Sequence, residues 1–68
     1  MIDAWRVGNE HRGFQILEDS IGIFINYKMV LETKDKELAR RFVNNLIKKV
    51  PEEFRKEYEQ FKEYLEIR

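Results

Sequence analysis

The period of the hydrophobic pattern changes once along this chain, from two residues to 3.6 residues, close to Thr33. Before that point large apolar residues alternate with other types, at Ile21, Ile23, Ile25, Tyr27, Met29 and Leu31. After it apolar residues recur at helical spacing, at Leu38, Ala39, Phe42, Val43, Leu46, Ile47 and Val50. A period of two is typical of a strand with one buried face, and a period of 3.6 is typical of an amphipathic helix. The switch therefore predicts an α+β protein in which strands precede helices.

Chain length and composition limit the class of protein. The chain has 68 residues, no cysteine, and 13 basic side chains against 13 acidic ones. A chain of this size buries only about 60% of its unfolded surface, so we expect a single domain over residues 1–68 that a second copy would stabilise. Without cysteine, disulfides and thiolate metal sites are excluded, and a cytoplasmic location is expected. The dominance of Lys, Glu and Arg is typical of heat-adapted proteins.

The amino-terminal half is predicted to form strands at about 4–8, 13–18 and 21–32. Gly8 and Gly13 bound a turn between the first two strands, because glycine adopts the backbone angles that turns need. Alternation continues unbroken past Asn26, which favours one bent strand over 21–32. The alternative is a turn around Asn26, Tyr27 and Lys28 that divides this segment into two shorter strands. The sheet is therefore an antiparallel meander of three strands, or of four in the alternative.

Two helices are predicted, at about 34–50 and 52–66. Thr33 is suited to cap the first helix, and Pro51 ends it and favours the start of another. The apolar stripe of the first helix is wide enough to contact two layers, so we expect it to be the central helix that packs the sheet. The second, C-terminal helix carries a narrow seam of apolar side chains, at Phe54, Tyr58, Phe61 and Leu65.

Catalytic chemistry finds little support in the residue pattern. His11 is the single histidine, and no residues are spaced to join it as metal ligands. Ser20 lacks the glycine-flanked turn of a catalytic serine, and no phosphate-binding lysine follows Gly13. We therefore expect a protein that is not an enzyme, with no cofactor and no metal. No apolar run approaches the ~18 residues of a membrane span, so a membrane partner is not expected either.

The first helix carries a basic face that could contact phosphates. Residues 34–50 include six basic side chains and two acidic ones. The residues predicted to contact nucleic acid are Arg40, Arg41, Asn44, Lys48 and Lys49. The alternative is a solvated face, because a nucleic-acid-binding domain usually has a clear positive excess and this chain has a net charge of zero.

Apolar side chains on the second face of the sheet suggest self-association. Phe24 and Val30 are even-numbered residues of the long predicted strand, so they would lie on the face that the helices leave open. The alternative is that another part of the same chain covers these two side chains. The seam at Phe54, Tyr58, Phe61 and Leu65 is likewise either an intrachain contact or a contact with a second copy.

The order of Trp5-Arg6-Val7, Gly13-Phe14-Gln15-Ile16, Glu18-Asp19, an Ala39-containing helix and Pro51-Glu52 resembles that of small proteins commonly encoded by phages and prophages. The resemblance implies a strand-rich amino-terminal half followed by helices, and no assigned activity. We therefore expect a small non-enzymatic protein-interaction module, a homodimer with a further unknown protein partner, as an accessory or host-modulating protein of a mobile element. The alternative is a nucleic-acid-binding module that uses the first helix.

Overall fold

The computed structural model describes residues 2–67. Its elements in chain order are β1 (Ile2–Val7), β2 (Glu10–Ile16), β3 (Ile21–Ile25), β4 (Lys28–Thr33), α1 (Lys36–Lys49) and α2 (Glu52–Ile67). In the described chain the strands form one antiparallel sheet in the order β1-β2-β3-β4. The α+β class predicted from the change of period is confirmed. The chain divides between Asp35 and Lys36 into two compact units, a sheet unit and a helix unit.

The turn of the first hairpin is shorter than the segment from Gly8 to Gly13 that the sequence predicted for it. Val7 pairs with Glu10, so Gly8 and Asn9 alone form the turn. Gly8 has a φ of 61°, which glycine adopts without a steric penalty. Consequently β1 covers Ile2–Val7 instead of 4–8, and β2 covers Glu10–Ile16 instead of 13–18. Gly13 lies inside β2, opposite Ala4, and not in the turn.

The segment 21–32 forms two strands, so the four-strand alternative describes the sheet and the single bent strand does not. Asn26 and Tyr27 have φ angles of 50° and 70°, and Ile25 pairs with Lys28. Two consecutive residues with positive φ in a two-residue loop are the signature of a type I′ turn, whose twist suits a hairpin. Asparagine tolerates this conformation better than most residues.

A β-bulge in β4 explains why the hydrophobic alternation survives the turn. A two-residue turn pairs an odd-numbered residue with an even-numbered one, as in Ile25 with Lys28, and therefore reverses the parity of the buried face. The register then shifts at Ile23 and Phe24, where Val30 is the extra residue of β4. The extra residue restores the parity, so that Leu31 pairs with Ile23.

The two helices begin and end close to the predicted residues. Thr33 ends β4, and its hydroxyl accepts a hydrogen bond from the Asp35 amide at 3.0 Å. The helix therefore begins at Lys36, two residues later than predicted, because this local turn precedes the first helical residue. At the other end, Pro51 separates α1 from α2, and its carbonyl accepts from the Phe54 amide at 3.0 Å. Helices α1 and α2 contact each other.

Buried side chains are found in both units. In the sheet unit they share one face, with Phe14, Ile16, Ile21 and Ile23 each at most 4% exposed. In the helix unit the buried apolar residues are Ala39, Val43, Val50, Phe54, Tyr58, Phe61 and Leu65. The other face of the sheet, which we call the outer face, is the one on which candidate functional residues lie.

Candidate functional site

The strand register assigns the residues of the outer face. Directly opposite residues of antiparallel strands lie on the same side of a sheet, so each cross-strand set forms a row. The outer face carries three rows: Ile2, Gln15, Gly22 and Glu32 in the first, Ala4, Gly13, Phe24 and Met29 in the second, and Arg6 and His11 in the third.

Large apolar side chains are exposed on this face and at its border. Ile2 is 73% exposed, Met29 is 42% exposed, and Tyr27 in the adjoining turn is 77% exposed. Phe24, at the centre of the second row, is half-buried. Clusters of exposed apolar residues on small proteins are typical of interaction sites.

A shallow groove of about 310 Å³ lies within the sheet unit. Residues of β1 and β2 line it together with Phe24 and Tyr27. Gly13 lines the groove and has no side chain to fill it. A Cβ at this position would lie 3.2 Å from the Asp3 carbonyl oxygen and 3.6 Å from the Ala4 Cβ, so β1 and β2 are closely packed here. Beside the groove, the side chains of Gln15 and Met29 approach Gly22, where a Cβ would meet them at 3.1 to 3.3 Å.

His11 holds the β3–β4 turn against β2. The His11 amide donates to Asn26 Oδ1 at 2.9 Å, and the Asn26 amide donates to the His11 carbonyl at 2.8 Å. The Tyr27 hydroxyl and His11 Nε2 share a further hydrogen bond, and the two rings are 4.2 Å apart between centroids. Tyr27 therefore leans across the sheet toward β2 and forms one wall of the groove. Sequence reasoning placed His11 in an exposed turn, whereas it is a half-buried strand residue.

Two residues of opposite charge occupy the outer face. Arg6 lies in β1 at one edge of the sheet and Glu32 lies in β4 at the other, and both are exposed. Neither forms an ion pair with another residue of 2–67. Apart from these two and His11, the row residues are uncharged. Sequence reasoning missed Arg6 and Glu32, because they share a face only through the register of the intervening strands.

The residues predicted to contact nucleic acid lie in α1. Four of them are exposed: Arg41, Asn44, Lys48 and Lys49. Arg40 is half-buried, forms an ion pair with Glu37, and has Nη1 3.9 Å from Glu66 Oε1. Its positive charge is therefore shared with two carboxylates. Arg41 Nε also lies 3.9 Å from Glu37 Oε1, but the Arg41 side chain is 73% exposed, so Arg41 is the more available arginine.

The residues predicted for self-association divide into two groups. The seam of α2 is buried inside the single chain, with Phe54, Tyr58, Phe61 and Leu65 at most 3% exposed. In this structure the chain itself covers these four side chains. Phe24 and Val30 lie in different strands, because the Asn26–Tyr27 turn separates them, and Met29 instead of Val30 is opposite Phe24. Only Phe24 of this predicted pair belongs to a row of the outer face.

Within residues 2–67, no three or more His, Cys, Asp or Glu side chains are grouped so that they could hold a metal ion. No helix in the described part of the chain has the length and hydropathy needed to span a membrane.

Comparison with protein-family models, with curated proteins and with solved structures finds no match to this chain. The side chains of the outer face and of α1 are therefore the basis on which a function is proposed.

Proposed function

We propose that this chain is a protein-interaction module that binds a second copy of itself through the outer face of its sheet. The observation that carries the proposal is the exposure of Ile2, Met29 and Tyr27 around a groove with an apolar centre. An antiparallel sheet can leave one face in water, but that face is then usually polar. Burying these side chains against a second copy would remove them from water, with a gain of about 25 cal/mol for each Å² of apolar surface.

The size of the outer face indicates how tight such a dimer is. Four strands spaced about 4.8 Å apart, each about 20 Å long, present roughly 400 Å² per copy. Stable complexes usually bury about 800 Å² per partner, so the dimer is expected to be weak and to depend on concentration. A dissociation constant in the micromolar range is therefore expected, since a small interface gains little beyond the entropy lost on association.

The test compares two exposed apolar residues of nearly equal exposure. Met29 on the outer face is 42% exposed, and Leu38 on α1 is 44% exposed. Light scattering at rising concentration should show dimers for the native chain and for Leu38→Lys, and monomers for Met29→Lys. A native chain that stays monomeric up to about 1 mM would overturn the proposal, because complexes weaker than this carry little binding energy.

The proposal also extends to the setting of the protein. We propose that the protein binds its partner without catalysing a reaction, and that it does so in the cytoplasm. Its role would be that of an accessory protein of a phage or other mobile element. The absence of cysteine supports a reducing compartment. The phage setting is supported by the resemblance of the order of residues to small phage-encoded proteins.

A second candidate function is nucleic-acid binding by α1. The observation that favours it is the charge of this helix, which carries five basic side chains and one acidic one. Arg41, Lys48 and Lys49 are exposed, and Asn44 is exposed beside them. Exposed cations along one helix can neutralise phosphates, and asparagine can bond to base edges.

Salt dependence tests this second function. Binding of a duplex or single-stranded oligonucleotide should weaken as salt rises, and Arg41→Ala should reduce both the affinity and the salt slope. Arg55→Ala in α2 is the matched control, because Arg55 is also an exposed helical arginine. If no binding is measured at low ionic strength, the second function is wrong and the basic side chains of α1 only contact solvent.

A further inference from the structure

Three corners of the outer face carry side chains of different chemistry. Along β1, Ile2 marks one corner and Arg6 the other. Along β4, Glu32 lies in the same row as Ile2, so it is at the corner diagonally opposite Arg6. The strand spacing and the rise per residue put β1 and β4 about 14 Å apart and the first and third rows about 13 Å apart. Arg6 and Glu32 are therefore separated by a diagonal of roughly 20 Å.

Opposite charges at diagonal corners make this face complementary to itself. In a dimer with a two-fold axis the same patch is used twice, so a contact from residue i to residue j is repeated from j to i. When two such faces are stacked, an axis that lies between them and runs perpendicular to the Arg6–Glu32 diagonal places Arg6 over Glu32 of the second copy. The same axis places Glu32 over Arg6 of the second copy, and it brings the apolar second rows together at the centre.

The orientation of the second copy follows from the shape of the face. Because the face is about as wide as it is long, the diagonal runs at roughly 45° to the strands. Rotation about the perpendicular axis therefore turns the strands of the second copy by roughly 90°. Near-perpendicular crossing is one of the two common ways in which sheets pack face to face.

We infer that two copies stack their outer faces orthogonally about this axis, with Arg6 of each copy paired to Glu32 of the other. This inference rests on the proposed function, and it specifies which second-copy arrangement the face selects. The charges decide orientation: turning one face by a half-turn about its own normal would bring Arg6 over Arg6 and Glu32 over Glu32, which like-charge repulsion disfavours. A chain with zero net charge has no overall repulsion that opposes its dimerisation.

Charge reversal tests the arrangement. Arg6→Glu places like charges at both corners of the dimer, and so does Glu32→Arg. Each single variant is expected to weaken dimerisation by about 10- to 100-fold at low salt, since two attractions become two repulsions. Arg55→Glu and Glu18→Arg make the same changes of net charge at exposed residues outside the outer face, and both should dimerise like the native chain.

Two further samples test whether opposite charges at the corners restore dimerisation. The double variant Arg6→Glu/Glu32→Arg has opposite charges at both corners and the native net charge, so it should dimerise like the native chain. An equimolar mixture of the two single variants should form heterodimers, because one copy then contributes two glutamates and the other two arginines. Analytical ultracentrifugation at matched concentrations measures both, and circular dichroism confirms that each variant is folded.

The outcomes separate this inference from the proposed function. If the native chain dimerises and Met29→Lys does not, but the charge variants keep the native affinity, the orthogonal arrangement is wrong and the outer face remains the interface. If the native chain is monomeric throughout, both are wrong. Recovery by the double variant and by the mixture, with loss in each single variant, supports the Arg6–Glu32 pairing, and failure to recover contradicts it.

Discussion

Asn26 and Tyr27 both hold positive φ angles, although glycine adopts this conformation more readily than any other residue. For a bulky residue such as Tyr27 the conformation costs about 1 kcal/mol or more. The hydrogen bond and ring contact of Tyr27 with His11 offset that strain, and they fix its ring beside the groove. A glycine would suit the backbone better but would leave the groove without a wall. Strained backbone often occurs at functional sites, and Tyr27 borders the exposed apolar side chains of the outer face. Its conformation therefore agrees with a role in binding.

Substitution of Asn26 separates backbone strain from side-chain bonding. Asn26→Ala removes the acceptor for the His11 amide and places a Cβ-bearing residue without a bonding side chain at φ of 50°. We expect the free energy of unfolding to fall by about 1–2 kcal/mol, from the lost hydrogen bond and the left-handed backbone together. Asn26→Gly removes only the hydrogen bond, so its free energy of unfolding should fall by less. Chemical denaturation of both variants measures the two contributions, and equal losses would show that the backbone conformation contributes nothing.

At the scale of secondary-structure elements, the bulge at Val30 decides which side chains of β4 face which way. The tight turn before it reverses the parity of the alternation, and the extra residue reverses it back. Met29 therefore lies on the outer face opposite Phe24, while Leu31 lies opposite the fully buried Ile23. Because Val30 is accommodated as a bulge, Met29 and Leu31 lie on opposite faces of the sheet although they are two positions apart in the sequence.

Deletion of Val30 should remove the bulge and leave the two faces of β4 unchanged. Met29 would still pair with Phe24, and Leu31 would follow Met29 directly and still pair with Ile23. Because Val30 is exposed and is skipped by the cross-strand register, its deletion should change the free energy of unfolding by less than about 1 kcal/mol. Val30→Ala is the control, and it should have a similarly small effect. Urea denaturation monitored by circular dichroism compares the two variants, and a loss of about 3 kcal/mol or more on deletion alone would show that Val30 is not the extra residue of β4.

At the scale of the whole molecule, dimerisation should couple to thermal stability. A domain of 68 residues has a small core, so binding energy from a second copy is a large fraction of its total stability. A partner that binds only the folded state raises stability by mass action, and the effect grows with concentration.

The melting temperature of the native chain is therefore expected to rise with its concentration. Between about 10 μM and 1 mM we expect an increase of several degrees, given that 1 kcal/mol shifts the midpoint of a domain this small by about 4–8 °C. Leu38→Lys should show the same slope, whereas Met29→Lys should melt at one temperature throughout. Differential scanning calorimetry makes the measurement, and a native midpoint independent of concentration would contradict self-association.

The class and order of the elements were predictable from the sequence because they depend on local properties. The change of hydrophobic period marks the boundary between strands and helices, and Pro51 marks the boundary between α1 and α2. The apolar seam of α2 was recognised for the same reason, since its spacing is set within one helix. Less could be predicted near Gly13 and Asn26, because either residue is compatible with a turn or with a strand until its cross-strand partners are known.

The candidate site was decided by the tertiary structure. The sequence alone determined that a strand-forming half precedes two helices, that one α1 face is basic, and that apolar residues exceed what one sheet face can bury. Which residues share the outer face depends on two turn lengths and one bulge, and a shift of one residue transfers every side chain of a strand to the opposite face. Arg6 and Glu32, which are 26 positions apart in the sequence, share that face because three antiparallel pairings carry the register from β1 to β4.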